Sequence, residues 1–183
     1  MVALKLFAPL LIAGLCTVPA LAGADPVPGV GDLAPDFTSK SLLTHEPVQL
    51  SAQRGRIVFL SFFASWCGPC RKEVPVLEGV QKRLGTERAR VLAVNYQETD
   101  ESAVRKWARD NKLQMIIVED YGAHIARHYG VHRIPHLLII GPDGRILKVH
   151  DGYGPDSLDA LVSDINEVLK ETAPAAAPVS APP

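Results

Sequence analysis

Seven consecutive residues, Ile57-Val58-Phe59-Leu60-Ser61-Phe62-Phe63, form a nearly unbroken apolar run without Gly, Pro or charge. A run this short, rich in β-branched and aromatic side chains, suits a strand buried on both faces, as in a parallel α/β sheet. Trp66-Cys67-Gly68-Pro69-Cys70 follows almost at once and opens a helical pattern, with Val74, Leu77, Val80 and Leu84 on one face. A buried strand running into a cysteine pair at a helix start is the tightest constraint on what this chain can fold into.

The remaining pattern extends the same sheet. Val91-Leu92-Ala93-Val94, Met115-Ile116-Ile117-Val118 and His136-Leu137-Leu138-Ile139-Ile140 repeat the short apolar type. Gly141-Pro142-Asp143-Gly144 is a turn that joins the last of them to residues 145–150 as an antiparallel hairpin. Ala103, Val104, Trp107 and Ala108 predict an amphipathic helix, with Thr99 and Asp100 as cap candidates. Residues 120–129 predict another, stopped by Gly130. Leu158, Leu161, Val162, Ile165, Val168 and Leu169 predict a last one, with Asp159, Asp164 and Glu167 on its outer face. Alternating strands and helices without an internal repeat imply one α/β domain over residues 29–172.

Composition narrows the function. Lys and Arg number 19 against 20 Asp and Glu, a net charge of −1, which removes the bulk electrostatic case for binding nucleic acid. Apolar residues at 47% exclude a wholly disordered chain. Three cysteines are too few for a disulfide-built scaffold, so a disulfide here is expected to be functional.

Both ends differ from the domain. Residues 1–24 carry Lys5 as their only charge, an apolar stretch over residues 6–15, and Pro19 before Ala20-Leu21-Ala22. That is the layout of an export signal with an A-x-A cleavage site, whose removal would take Cys16 with it. Left uncut, the charge-free stretch is just long enough to anchor the chain in a membrane. Leu15 directly before Cys16, in place of a small residue, argues against lipidation. Residues 173–183 hold only Ala, Pro, Val and Ser and predict a disordered, partly extended tail.

Cys67 and Cys70 stand three apart, a spacing that lets a disulfide close at a helix start. The first sulfur then faces the unpaired N–H groups of the first turn, whose partial positive charge stabilises a thiolate. Cys67 is therefore expected to be the nucleophile, and the more shielded Cys70 the residue that resolves a mixed disulfide. A zinc half-site would need a second ligand pair, and no second CxxC exists.

The segment from Phe62 to Pro75, with Ala64-Ser65-Trp66-Cys67-Gly68-Pro69-Cys70-Arg71-Lys72-Glu73 at its centre, resembles the active-site segment of exported bacterial thioredoxin-like proteins. These are the TlpA, ResA and cytochrome c-maturation thiol–disulfide reductases. Upstream, Gly31-Asp32-Leu33-Ala34-Pro35-Asp36-Phe37-Thr38 is similar to the family's amino-terminal hairpin. Downstream, Tyr129-Gly130-Val131-His132-Arg133-Ile134-Pro135 is similar to the segment before its cis-proline loop. The resemblance implies a thioredoxin-like fold: a central mixed β-sheet flanked by helices, with an N-terminal β-hairpin extension and an inserted β/α element.

For the site, the resemblance implies a cis bond at Pro135 facing the cysteines, which leaves the Ile134 backbone free to pair with a substrate strand. It also implies that Glu73 manages protons at Cys70. Trp66 belongs to the same catalytic segment. Ser61 departs from ordinary thioredoxins, which carry a buried aspartate there. A hydroxyl cannot act as the base, so that work is expected of Glu73.

The implied activity is reduction of disulfides in periplasmic proteins, such as heme-attachment cysteines of apocytochromes c or copper-site cysteines of assembly proteins. The chain is expected to act as a monomer, without nucleic acid and without a cofactor of its own. It has no Gly-rich phosphate loop, so its electrons are expected from a membrane thiol donor. Two other functions are worth weighing. His124, His128, His132 and His136 recur every four residues, but Gly130 and Pro135 interrupt any continuous helix. His124 and His128 are therefore expected to be surface or packing residues, while His136 beside Pro135 invites a copper(I) chaperone using Cys67, Cys70 and His136. The start Ala34-Pro35-Asp36-Phe37 also resembles thiol peroxidases. Leu60 and Ala64, however, stand where those enzymes carry a proline and a hydroxyl residue.

Overall fold

The structure is a computed structural model and describes residues 26–172. The expected signal at residues 1–24 and tail at residues 173–183 lie outside the described residues. Among the described residues, no helix is long and apolar enough to cross a membrane.

The apolar run is β3 (Ile57–Phe63), buried at every position and placed at the centre of a five-stranded sheet. Before it come β1 (Thr38–Lys40) and β2 (Pro47–Gln49), a separate antiparallel pair. After it come β4 (Ala89–Asn95), β5 (Ile116–Val118), β6 (His136–Ile140) and β7 (Ile146–Asp151), and the sheet order is β5-β4-β3-β6-β7. β4 and β5 run parallel to β3, whereas β6 pairs with β3 and β7 antiparallel, so the sheet is mixed.

Period-2 alternation sorts the side chains of β3 into two layers. Phe59 and Phe63 face a core built with α1 (Cys70–Leu84), α2 (Glu101–Asp110) and α4 (Ser157–Glu171). Val58, Leu60 and Phe62 face a second core closed by α3 (His124–His128), Tyr129 and the β1–β2 hairpin. Each fully buried Phe or Leu on β3 contributes about 1.5–3 kcal/mol of transfer free energy, which is why the strand tolerates no charge.

The N-terminal hairpin begins where the motif quoted for it ends. Residues 31–34 instead run beside the β6–β7 turn, with Leu33 bridged to Arg145 and Ala34 N–H donating to the Gly144 carbonyl. The inserted β/α element is α2 with β5, between β4 and β6. Asp100 is the residue that caps α2, its side chain accepting from the backbone N–H groups of Ser102 and Ala103.

Two helices differ from their sequence expectation. The helix expected over residues 120–129 is reduced to a 3₁₀ turn, Tyr121–Ala123, and the five-residue α3. Gly122 and Ala123 hold positive φ, and the buried Asp120 carboxylate accepts from Ile125 N–H at 2.9 Å and Ala126 N–H at 3.0 Å. A side chain that takes the first free N–H groups of α3 caps the helix four residues after the expected start. On α1, Val80 and Leu84 are only partly buried, while Glu73, Glu78 and Gln81 occupy the buried face. Glu78 accepts from the N–H groups of Gln114 and Met115, and Gln81 from that of Val91. Apolar periodicity cannot register a helix face held by polar groups that bond to backbone.

Candidate active site

β3 delivers the chain to the C-terminal edge of the sheet, and α1 starts at Cys70. Cys67 and Cys70 are joined as a disulfide with their Cα atoms 5.3 Å apart. The Cys70 N–H donates to Cys67 Sγ at 3.2 Å, so the outer sulfur lies against the positive end of α1, as the spacing predicts. Cys67 keeps 5% of its surface exposed and Cys70 none, while the neighbouring Trp66 is 65% exposed. One sulfur of the pair is reachable, and the other is sealed beneath it.

The turn between strand and helix is braced by a residue that sequence analysis did not single out. Glu98 accepts from Ser65 N–H at 2.7 Å and from Ser65 Oγ at 2.6 Å. Its own carbonyl accepts from Asn95 Nδ2 at 2.9 Å, which ties the brace to the end of β4. No local signal marks this contact, because Glu98 and Ser65 are 33 residues apart.

Glu73 is 5% exposed on the buried face of α1, one turn after Cys70. Burial pushes its carboxyl up to about 7, against the opposing pull of the Ser61 hydroxyl. Ser61 is fully buried and donates to Glu73 Oε1 at 3.2 Å. Arg71 and Lys72, the nearest cations in sequence, are both exposed, and Lys72 Nζ lies 6.0 Å from the Tyr153 ring centroid. A carboxyl near neutrality beside the sealed cysteine can take up or release a proton at physiological pH.

The Ile134–Pro135 peptide bond is cis. Pro135 is buried and its carbonyl accepts from Gly152 N–H at 2.9 Å. Among the described residues, neither the N–H nor the carbonyl of Ile134 has a hydrogen-bond partner.

His136 does not join the sulfurs. Strand parity places it with Leu138 and Ile140, on the face of the sheet opposite Leu137 and the cysteines. There its ring meets Phe62 edge-on, and its Nδ1 lies 3.1 Å from Asp151 Oδ1. The expected grouping of Cys67, Cys70 and His136 around copper is therefore not assembled, and no three His, Cys, Asp or Glu side chains among the described residues converge on a metal position. His124 and His128 share α3 and are exposed, and His132 lies in the following loop.

The profile of the AhpC/TSA family matches residues 30–149, which span both the hairpin and the cysteine site. The chain belongs to that family. Within this thioredoxin-like AhpC/TSA group, it is similar to the thiol-disulfide oxidoreductase ResA of Bacillus thuringiensis, 28% identical over 145 residues and covering 79% of each chain. The thioredoxin-like protein YneN of Bacillus subtilis is 37% identical over 124 residues, 67% of this chain and 71% of that one. Among solved structures, a protein assigned as thiol:disulfide interchange protein DsbE from Chlorobium tepidum superposes with a TM-score of 0.70 at 31% identity. That alignment covers 78% of this chain and 99% of the other. A thioredoxin-like fold with a disulfide at the start of α1 makes this AhpC/TSA member a thiol–disulfide oxidoreductase by class.

Proposed function

We propose that this oxidoreductase is exported and reduces disulfides in periplasmic proteins, of the kind handled in cytochrome c maturation or copper-site assembly. The observation that carries the proposal is the asymmetry of the pair: a reachable Cys67 at a helix N-terminus above a sealed Cys70, with Glu73 poised near pH 7. The Cys67 thiolate attacks one sulfur of a substrate disulfide, forms a mixed disulfide, and releases the first substrate thiolate. Glu73 takes the Cys70 proton, and the Cys70 thiolate attacks Cys67 Sγ and releases the second substrate thiolate. Two electrons pass to the substrate, and the enzyme is left oxidised.

A membrane thiol donor then restores the dithiol. The open N–H and carbonyl of Ile134 supply pairing for an extended substrate strand, and Trp66, next to Cys67 in the chain, is exposed. Equilibration of the Cys67–Cys70 couple against glutathione buffers tests the direction. A potential near −270 mV, about that of a thioredoxin, supports the reductant, and one near −120 mV, about that of a strong oxidant, overturns it.

A further inference from the structure

The loop that presents Ile134 is held from one side by a single carboxylate. Asp151, the last residue of β7, stands opposite His136 in the β6–β7 register. Its Oδ2 accepts from Arg133 Nε at 2.8 Å and lies 2.6 Å from Arg133 Nη2, so the guanidinium engages it with two nitrogens. Its Oδ1 takes the Nδ1–H of His136 at 3.1 Å, and a carboxylate facing that nitrogen requires the proton to be there. The next residue, Gly152, donates to the Pro135 carbonyl. Residues 133, 135 and 136 are thus each tied to positions 151–152, and Ile134 is the untied residue between them.

We propose that Asp151 is a positioning residue for protein substrates, which holds Arg133 and His136 so that the Ile134 backbone stays aligned for pairing with a substrate strand. This deepens the proposed function and rests on it. A partner that docks by backbone pairing needs the loop in one conformation before it arrives, because ordering it afterwards costs binding free energy. A small disulfide reaches Cys67 without that pairing and gains nothing from the brace.

The test compares insulin, a protein disulfide, with 5,5′-dithiobis(2-nitrobenzoate), a small one, using the reduced full-length protein. Asp151→Ala is expected to lower the second-order rate constant for single-turnover oxidation of the reduced protein by insulin by about tenfold, with that for the small disulfide within about twofold of wild type. Arg133→Gln, at an exposed side chain whose loss leaves the core intact, is expected to move insulin in the same direction by less. It keeps the test decisive if Asp151→Ala folds poorly. Equal losses on both disulfides, or no loss on insulin in either variant, overturn the positioning role alone. A wild-type protein that reduces neither disulfide overturns the proposed function and the positioning role with it.

Discussion

Ser61 Oγ donates to Glu73 Oε1 at 3.2 Å, across the contact between the central strand and the helix that carries the cysteines. Strand parity puts Ser61 on the same face as Phe59 and Phe63, toward α1, and the start of the helix puts Glu73 over it. The pair places a titratable group under the disulfide from the helix side, with a hydroxyl on the strand to orient it. Solvation of the carboxylate by one hydroxyl is far weaker than by water, so burial dominates and the acid stays protonated to near neutrality.

Glu73→Gln should stabilise the oxidised protein at alkaline but not at acid pH. Below pH 4.5 the carboxyl is protonated in both folded and unfolded chains and contributes no pH dependence. As pH rises from there to about 7, the unfolded chain releases the proton that the native state retains, so stability falls. Above that the deficit is constant, at most about 3 kcal/mol. Urea midpoints at pH 4 and pH 8 read this directly, since the Gln variant should match wild type at the first and exceed it at the second. The same substitution should slow the step in which Cys70 resolves a mixed disulfide by roughly 100-fold and remove its inflection near pH 7. An unaltered pH profile would show that Glu73 handles no proton.

Ser61→Ala should push the Glu73 carboxyl further up, because it removes the one hydrogen bond that favours the charged form. In the oxidised protein, the pH at which stability stops falling should shift to higher values than in wild type. A shift to lower pH would mean that the hydroxyl does not act on the acid as this geometry requires.

Much of this site is legible in the sequence because it is local. The buried strand, the cysteine pair and Glu73 lie between residues 57 and 73, where apolar runs and helical spacing place them without knowledge of the rest of the chain. The single α/β domain follows from the alternation of elements, whereas the strand order, with β6 inserted antiparallel beside β3, is set by packing that no local pattern records. The braces were not legible for the same reason. Glu98 reaches Ser65 from the end of another strand, and Asp151 meets Arg133 and His136 only through hairpin register. Counting outward from the turn at residues 141–144 would set His136 opposite Val149, and it stands opposite Asp151 only because Ile140 pairs with Ile146 and the register shifts again between Ile139 and Ile140. Adjacency to Pro135 misled for His136 because that residue opens a strand, whose alternation turns its side chain to the face opposite the cysteines.

Asp120→Ala should loosen α3 and the layer it closes. The buried carboxylate satisfies the N–H groups of Ile125 and Ala126, and no other side chain caps the helix. Loss of a cap typically costs about 1 kcal/mol, and two stranded buried donors bring the expected loss to about 2 kcal/mol. Hydrogen exchange should show faster opening at Ile125 and Ala126, with β3 amides protected as in wild type. Unchanged exchange at both positions would count against the cap.

Glu98→Ala should destabilise the turn that carries the cysteines without touching a reacting atom. The carboxylate receives both donors of Ser65, at 2.7 and 2.6 Å, in a half-buried setting where water replaces it only in part. Charge-assisted bonds of this kind contribute about 1.5–3 kcal/mol each when buried, and partial exposure brings the expected total to about 2 kcal/mol. The urea midpoint of the oxidised protein should fall with its slope unchanged, because no additional surface is exposed on unfolding. Glu98→Gln, which keeps one acceptor oxygen, should fall between the two. If Glu98→Ala left the midpoint in place, the Ser65 contacts would be contributing nothing to the fold, and the turn would owe its shape to α1 and β3 alone.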